Sequence, residues 1–102
     1  MNTITPEELK KRLDAGETIN LVDVREPDEN AEFNIGGLLH PLGKIRELDV
    51  AELENMKDDE IIIYCRSGNR SGQACMMLET MGFSNVVNLS GGMLAWREKF
   101  SR

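Results

Sequence analysis

The run Glu60-Ile61-Ile62-Ile63-Tyr64 limits the fold of this 102-residue chain more than any other stretch. It is nearly all apolar, with no alternation of polar and apolar residues. Such a run suits a strand covered on both faces of a parallel sheet. Ile19 to Val24 (INLVDV) and Asn85 to Leu89 (NVVNL) read as further strands, rich in β-branched residues, and Leu38-Leu39 as a short one. Helical segments stand between them. Thr5-Pro6-Glu7-Glu8 has the form of a capping box with proline in the first turn, and its helix ends at Gly16. Glu26-Pro27-Asp28-Glu29 opens a short helix through about Phe33, and Gly36-Gly37 marks a turn. Asp49 to Met56 reads as another short helix with Asp49 as N-cap. A longer helix runs from about Arg70 to Met81 and stops at Gly82, and Gly91-Gly92 leads into a last helix through about Phe100. Strands alternating with helices predict an α/β domain with a mostly parallel sheet. Ligands in such folds sit beyond the carboxyl ends of the strands, and Cys65 stands at one.

Length supports one domain over residues 1–102. A chain of this size buries roughly two-thirds of its unfolded surface, enough for a core without staples. The net charge of −6 argues against a nucleic-acid surface, which needs clustered Lys and Arg. No apolar run approaches the roughly 20 residues that span a bilayer. The opening MNTITPEELKKRL lacks the basic-then-apolar layout of a secretory leader, so the expected location is cytoplasmic. Two cysteines, Cys65 and Cys75, make no disulfide framework and are expected as free thiols.

The chemistry is concentrated in Cys65-Arg66-Ser67-Gly68-Asn69-Arg70-Ser71. A cysteine at a strand tip precedes small, polar and basic residues and then a helix. The first amides of that helix have no intrahelical partner, and the helix dipole adds partial positive charge. Arg66 and Arg70 offer full charges, and Gly68 allows the backbone conformations of a tight ring. A free cysteine has a pKa of about 8.5, which such surroundings lower to ~3.5–7.5. Cys65 is therefore the candidate nucleophile, and residues 66–70 (Arg66, Ser67, Gly68, Asn69, Arg70) are the candidate anion cradle. Arg70 either faces the anion or braces the loop. Asp23, charged within an apolar strand, is expected to accept hydrogen bonds or pair with an arginine near the loop. Arg25 is a second supporting residue.

With these residues in view, the chain resembles the rhodanese family over nearly its whole length. Leu21-Val22-Asp23-Val24-Arg25-Glu26 is similar to that family's LxDVRE segment, and residues 65–71 to its active loop. Met81 to Val86 is similar to the GFxNV stretch and Gly91 to Trp96 to the terminal GGxxAW. Glu32 to Gly37 occupies the place of a GHIPGA-like stretch, with Asn34 for its His and Gly36 for its Pro. The resemblance implies a central sheet of about five strands with helices on both faces. It implies a sulfurtransferase in which a Cys65 persulfide carries sulfane sulfur from thiosulfate or a persulfide donor to a thiol or cyanide, or to a partner protein. It also implies that Arg66 lies against thiosulfate, and that no metal or organic cofactor takes part.

Two other readings bear on the same residues. Phosphatases and arsenate reductases of this fold place Cys and Arg on a comparable loop, with one more residue between them than the four between Cys65 and Arg70. A smaller ring suits a single sulfur better than a tetrahedral oxyanion. Non-catalytic docking modules of the family often lose the cysteine that this chain keeps. Elsewhere, Cys75 is expected in the core and not as a resolving thiol. His40 has no cysteine or carboxylate at ligand spacing and reads as structural. Met76, Met77, Met81, Met93 and Trp96 are expected to fill the core.

Overall fold

In the computed structural model, which describes residues 1–100, the apolar run forms β4 (Glu60–Tyr64) in the middle of one five-stranded sheet. β5 (Asn85–Leu89) and β2 (Leu21–Asp23) flank it; β1 (Asn2–Ile4) lies outside β5, and β3 (Leu38–Leu39) outside β2. Every pairing is parallel, with Ile62 beside Leu21 and Val87. Alternation along β4 divides the core into two layers. Ile61, Ile63 and Cys65 pack with Leu42 and Ile45 of α3 (Leu42–Arg46) and Ala74, Cys75 and Leu78 of α4 (Asn69–Thr80). Ile62 and Tyr64 pack with Leu9 of α1 (Pro6–Asp14) and Met93 and Trp96 of α5 (Gly92–Phe100). Each of the three fully buried isoleucines of β4 contributes about 1.5–3 kcal/mol through burial. The fold is thus the α/β parallel sheet that the sequence pattern predicts, with the helices on both faces that the resemblance implies.

The Thr5 capping box forms as expected. Thr5 Oγ1 accepts from the Glu8 amide at 3.1 Å, and the Glu8 carboxylate accepts from the Thr5 amide at 2.9 Å. α2 (Pro27–Glu32) also starts where its proline places it. β1 and α3 were not expected from sequence. β1 is a three-residue edge strand with only Ile4 buried, and α3 is one turn held by Leu42 and Ile45. Neither is long enough to show a period.

Two expectations need correction. The segment after Asp49 is a 3₁₀ helix, Ala51–Met56, with Val50 and not Asp49 as N-cap. Buried His40 lies against this segment, its Nε2 2.7 Å from the Asp49 main-chain carbonyl oxygen and its Nδ1 3.1 Å from Glu52 Oε1. The Asp49 backbone and the Glu52 carboxylate thus hold a buried structural histidine. Met76 is not in the core but 61% exposed. Ser71, Ala74, Cys75 and Leu78 form the buried stripe of α4, which turns Met76 outward. Met77 and Met81 pack at the core's margin, while Met93 and Trp96 are buried.

Candidate active site

Cys65 follows the last residue of β4, so the sheet delivers its side chain to the carboxyl end of a central strand. Gly68, at φ 101°, turns the chain back into α4. The amides of the turn then close on the sulfur. Cys65 Sγ accepts from the Gly68 amide at 3.1 Å and the Ser71 amide at 3.3 Å, and Ser71 Oγ lies 3.3 Å away. A second helix holds the loop from outside. At the start of α5, the Met93 and Leu94 amides donate to the Cys65 and Arg66 carbonyls, each at 2.9 Å. Gly92 permits that approach: a Cβ there would stand 2.5 Å from the Cys65 carbonyl oxygen.

Burial alone raises the pKa of the Cys65 thiol. Once the sulfur is ionised, hydrogen bonds donated to it by the Ser71 hydroxyl, rotated toward it, and by the Ser71, Gly68 and Ser67 amides outweigh burial, and the pKa lies below the ordinary cysteine value. For Cys75, burial first and then the nearby Glu79 charge raise the pKa to about 12, against a smaller lowering by the N-terminal charge. The two thiols are thus shifted in opposite directions. Cys65 nevertheless has no exposed surface. A cleft beside the loop is lined by Arg25, Glu29, Arg66, Met93, Leu94 and Arg97.

The remaining cradle residues take different places. Arg66 is exposed at the cleft and has no carboxylate partner among the described residues. Ser67 contributes its amide, and the Asn69 side chain is exposed. Arg70 turns away from the sulfur. Its Nη1 and Nη2 bond both oxygens of Glu29 at 2.7 and 2.8 Å, and this ion pair lowers the Glu29 pKa to about 2. Of the two roles open to Arg70, its side chain takes that of the brace, tying α2 to the start of α4.

Asp23 is wholly buried and saturated. Its carboxylate accepts from the Arg25 amide (3.0 Å), Arg25 Nε (2.9 Å), Arg25 Nη2 (2.8 Å) and Asn30 Nδ2 (2.9 Å). Arg25 also donates to the Phe33 carbonyl at 2.6 Å, so the pair anchors the segment before Asn34. In the turn that follows, Asn34 Oδ1 accepts from the Gly36 amide at 2.8 Å and Tyr64 Oη donates to the Gly36 carbonyl at 2.9 Å. The side chain of Asn34 thus supports the turn in which Gly36 replaces the family's proline.

Sequence reasoning missed Ser71 and Asn88 as site residues. Ser71 Oγ donates to Asn88 Oδ1 at 2.5 Å, and Asn88 Nδ2 donates to the Gly68 carbonyl at 3.1 Å. The signal for Asn88 was available, since it is a polar residue in an apolar strand like Asp23. Glu29 could not have been found, because it is 41 residues from Arg70. Among the described residues, no three His, Cys, Asp or Glu side chains are grouped to hold a metal ion. No helix among them is long and apolar enough to cross a membrane.

Comparison with known proteins gives consistent matches. The family described as "Rhodanese-like domain" matches residues 5–99. A sulfurtransferase of Allochromatium vinosum is 41% identical, covering 94% of this chain and 88% of the relative. The putative sulfurtransferase YtwF of Bacillus subtilis is 43% identical, covering 86% of this chain and 82% of the relative. Among solved structures, the human single-domain sulfurtransferase TSTD1 superposes with a TM-score of 0.81 at 26% identity, covering 99% of each chain.

Proposed function

From the premise that this chain belongs to the rhodanese-like domain family and to its sulfurtransferases, we propose that Cys65 is the sulfur carrier. The thiolate attacks the outer sulfur of thiosulfate or of another sulfane donor. The donor's S–S bond breaks, and sulfite, or the donor thiolate, leaves with the electron pair. The product is a Cys65 persulfide with its negative charge on the outer sulfur. An acceptor nucleophile, either a thiolate or cyanide, then attacks that sulfur and Cys65 departs as thiolate. Sulfur and charge balance in both halves without a metal or redox cofactor. Free thiols of this kind fit the reducing cytoplasm.

One observation carries the reading: Sγ is held at 3.1 and 3.3 Å by the Gly68 and Ser71 amides at the mouth of α4. These donors favour the anion both as nucleophile and as leaving group. The Arg66, Asn69 and Arg70 amides donate to no protein acceptor among the described residues, which leaves donors for the outer sulfur. Arg66, exposed at the cleft with no carboxylate partner among the described residues, is the side chain that would meet an anionic donor. Because Cys65 is covered, the segment over it must shift before a donor enters. The brace between Arg70 and Glu29 weighs against phosphate or arsenate chemistry, which needs that guanidinium in the ring.

Intact-mass spectrometry after thiosulfate treatment tests this. The wild type is expected to gain one sulfur atom, and cyanide is expected to remove it. Cys65→Ser is expected to gain none. Sulfur retained on the Cys65→Ser protein rejects the proposal.

A further inference from the structure

We propose that Asn88, on β5, is a positioning residue that holds the Ser71 hydroxyl proton away from Cys65 and releases it when the thiolate forms. The inference rests on the reading of Cys65 as nucleophile but is tested without sulfur transfer.

The argument is one of donors and acceptors. The Gly68 carbonyl can only accept, so the Asn88 amide must turn Nδ2 toward it, as it does at 3.1 Å. That fixes Oδ1 on the other side, facing Ser71 Oγ at 2.5 Å. A distance this short requires a proton between the oxygens, and only Ser71 has one. The hydroxyl therefore turns a lone pair toward Cys65 Sγ, 3.3 Å away. A neutral thiol suits that lone pair, because S–H donates to it. A thiolate does not. When Cys65 ionises, the hydroxyl must rotate toward the sulfur and leave Asn88 Oδ1 without its donor. In the persulfide the charge has moved to the outer sulfur, so the proton returns to Asn88. Asn88 thus favours the thiol and the persulfide over the bare thiolate.

The surroundings fit this role. Gly72 lies beside the amide without crowding it: even a Cβ there would stand 3.4 Å from Asn88 Nδ2, an ordinary contact. The Gly68 carbonyl also accepts from the Gly72 amide at 3.0 Å, so it keeps a donor when Asn88 is replaced. The charged and titratable groups around Cys65 are Arg66 on the loop, Arg70 and Cys75 on α4, and the Asp23–Arg25 pair on β2. α5 brings the uncharged Met93 and Leu94 to the loop and the charged Arg97 to the cleft. None of these groups bonds Asn88, so replacing it leaves their direct contacts in place.

The test is the pH dependence of Cys65 alkylation by iodoacetamide, read by peptide mass spectrometry so that Cys75 is counted separately. Asn88→Leu frees the proton for the thiolate, and the alkylation midpoint is expected to fall. Below that midpoint, the thiolate fraction is expected to rise about three- to tenfold, the worth of one hydrogen bond. Asn88→Asp keeps the size but adds a stronger, charged acceptor, and its midpoint is expected to rise. In a Ser71→Ala background the Asn88→Leu effect is expected to vanish. A merely structural role predicts something else: both substitutions loosen the ring and raise the midpoint together. Equal signs for the two variants, or an Asn88→Leu shift that persists without the Ser71 hydroxyl, overturns the proposal. If Asn88→Leu does not fold, Asn88→Asp with and without Ser71→Ala decides. The added charge raises the midpoint in both backgrounds; a rise larger with the hydroxyl than without it supports the relay, and rises of equal size refute it.

Discussion

Replacing Gly92 with alanine tests how α5 builds the active loop. Gly92 has φ 55°, which costs any residue with a Cβ about 1–2 kcal/mol. The added Cβ would also stand 2.5 Å from the Cys65 carbonyl oxygen and 2.7 Å from both the carbonyl carbon and oxygen of Arg66. These are backbone atoms that cannot swing aside. Ordinary contact begins at 3.4 Å, so α5 must retreat by about 1 Å. That movement breaks the Met93 and Leu94 hydrogen bonds to the loop, each worth about 0.5–1.5 kcal/mol. The expected loss is about 2–5 kcal/mol, a large share of the roughly 5–15 kcal/mol that holds such a domain. Gly16 is the control. It has φ 82° with nothing within 4 Å of its Cβ position, so Gly16→Ala pays only the backbone strain. Urea unfolding followed by Trp96 fluorescence measures both variants. Persulfide formation is expected to fall in Gly92→Ala and to survive in Gly16→Ala. Equal destabilisation of the two would show that close packing of α5 on the loop contributes nothing, and would refute the reasoning.

Other outcomes follow from the same contacts. Cys75→Ser is expected to keep most transfer activity while Cys65→Ser loses it, since the Cys75 thiol has its pKa pushed to about 12 and lacks the amides; steady-state rates with thiosulfate check this. Glu29 has its pKa lowered to about 2 by Arg70, so the stability it contributes is full above its unfolded pKa of about 4.3 and is lost as pH falls toward 2. The pair is partly exposed and worth about 1 kcal/mol; Glu29→Gln should flatten the acid limb of urea midpoint against pH by that amount, and an unchanged limb rejects the assignment. Tyr64, the sole tyrosine, is raised to about 12, chiefly by burial and then by the Asp23 charge. Its stability contribution is present below about pH 10 and is lost as pH rises toward 12. Absorbance titration of the folded protein should show the midpoint near 12, and a midpoint near 10 would contradict the buried hydroxyl described here.

Much of the site was legible because it is local. Cys65, Gly68 and the start of α4 lie within one short segment, and amides at a helix start must point into the preceding loop. Asp23 was legible by the rule that a buried charge needs partners, and it has four donated hydrogen bonds. The same rule applied to Asn88 would have led to Ser71. Arg70 was not legible, because its partner comes from α2 and nothing in the loop specifies it. Met76 was misplaced because apolar character does not say which side of α4 meets the sheet.

The sequence by itself determined the central strand, the alternation of strands and helices, and the thiol at a helix mouth. Each follows from hydrophobic pattern or from backbone chemistry within about ten residues. Tertiary structure alone decided which arginine braces and which lies exposed at the cleft, how α5 closes on the Cys65 and Arg66 carbonyls, and where the Ser71 proton rests. Those outcomes depend on hydrogen bonds between elements distant in the chain. Their directions are set by how the strands and helices pack, and no local period in the sequence records that packing.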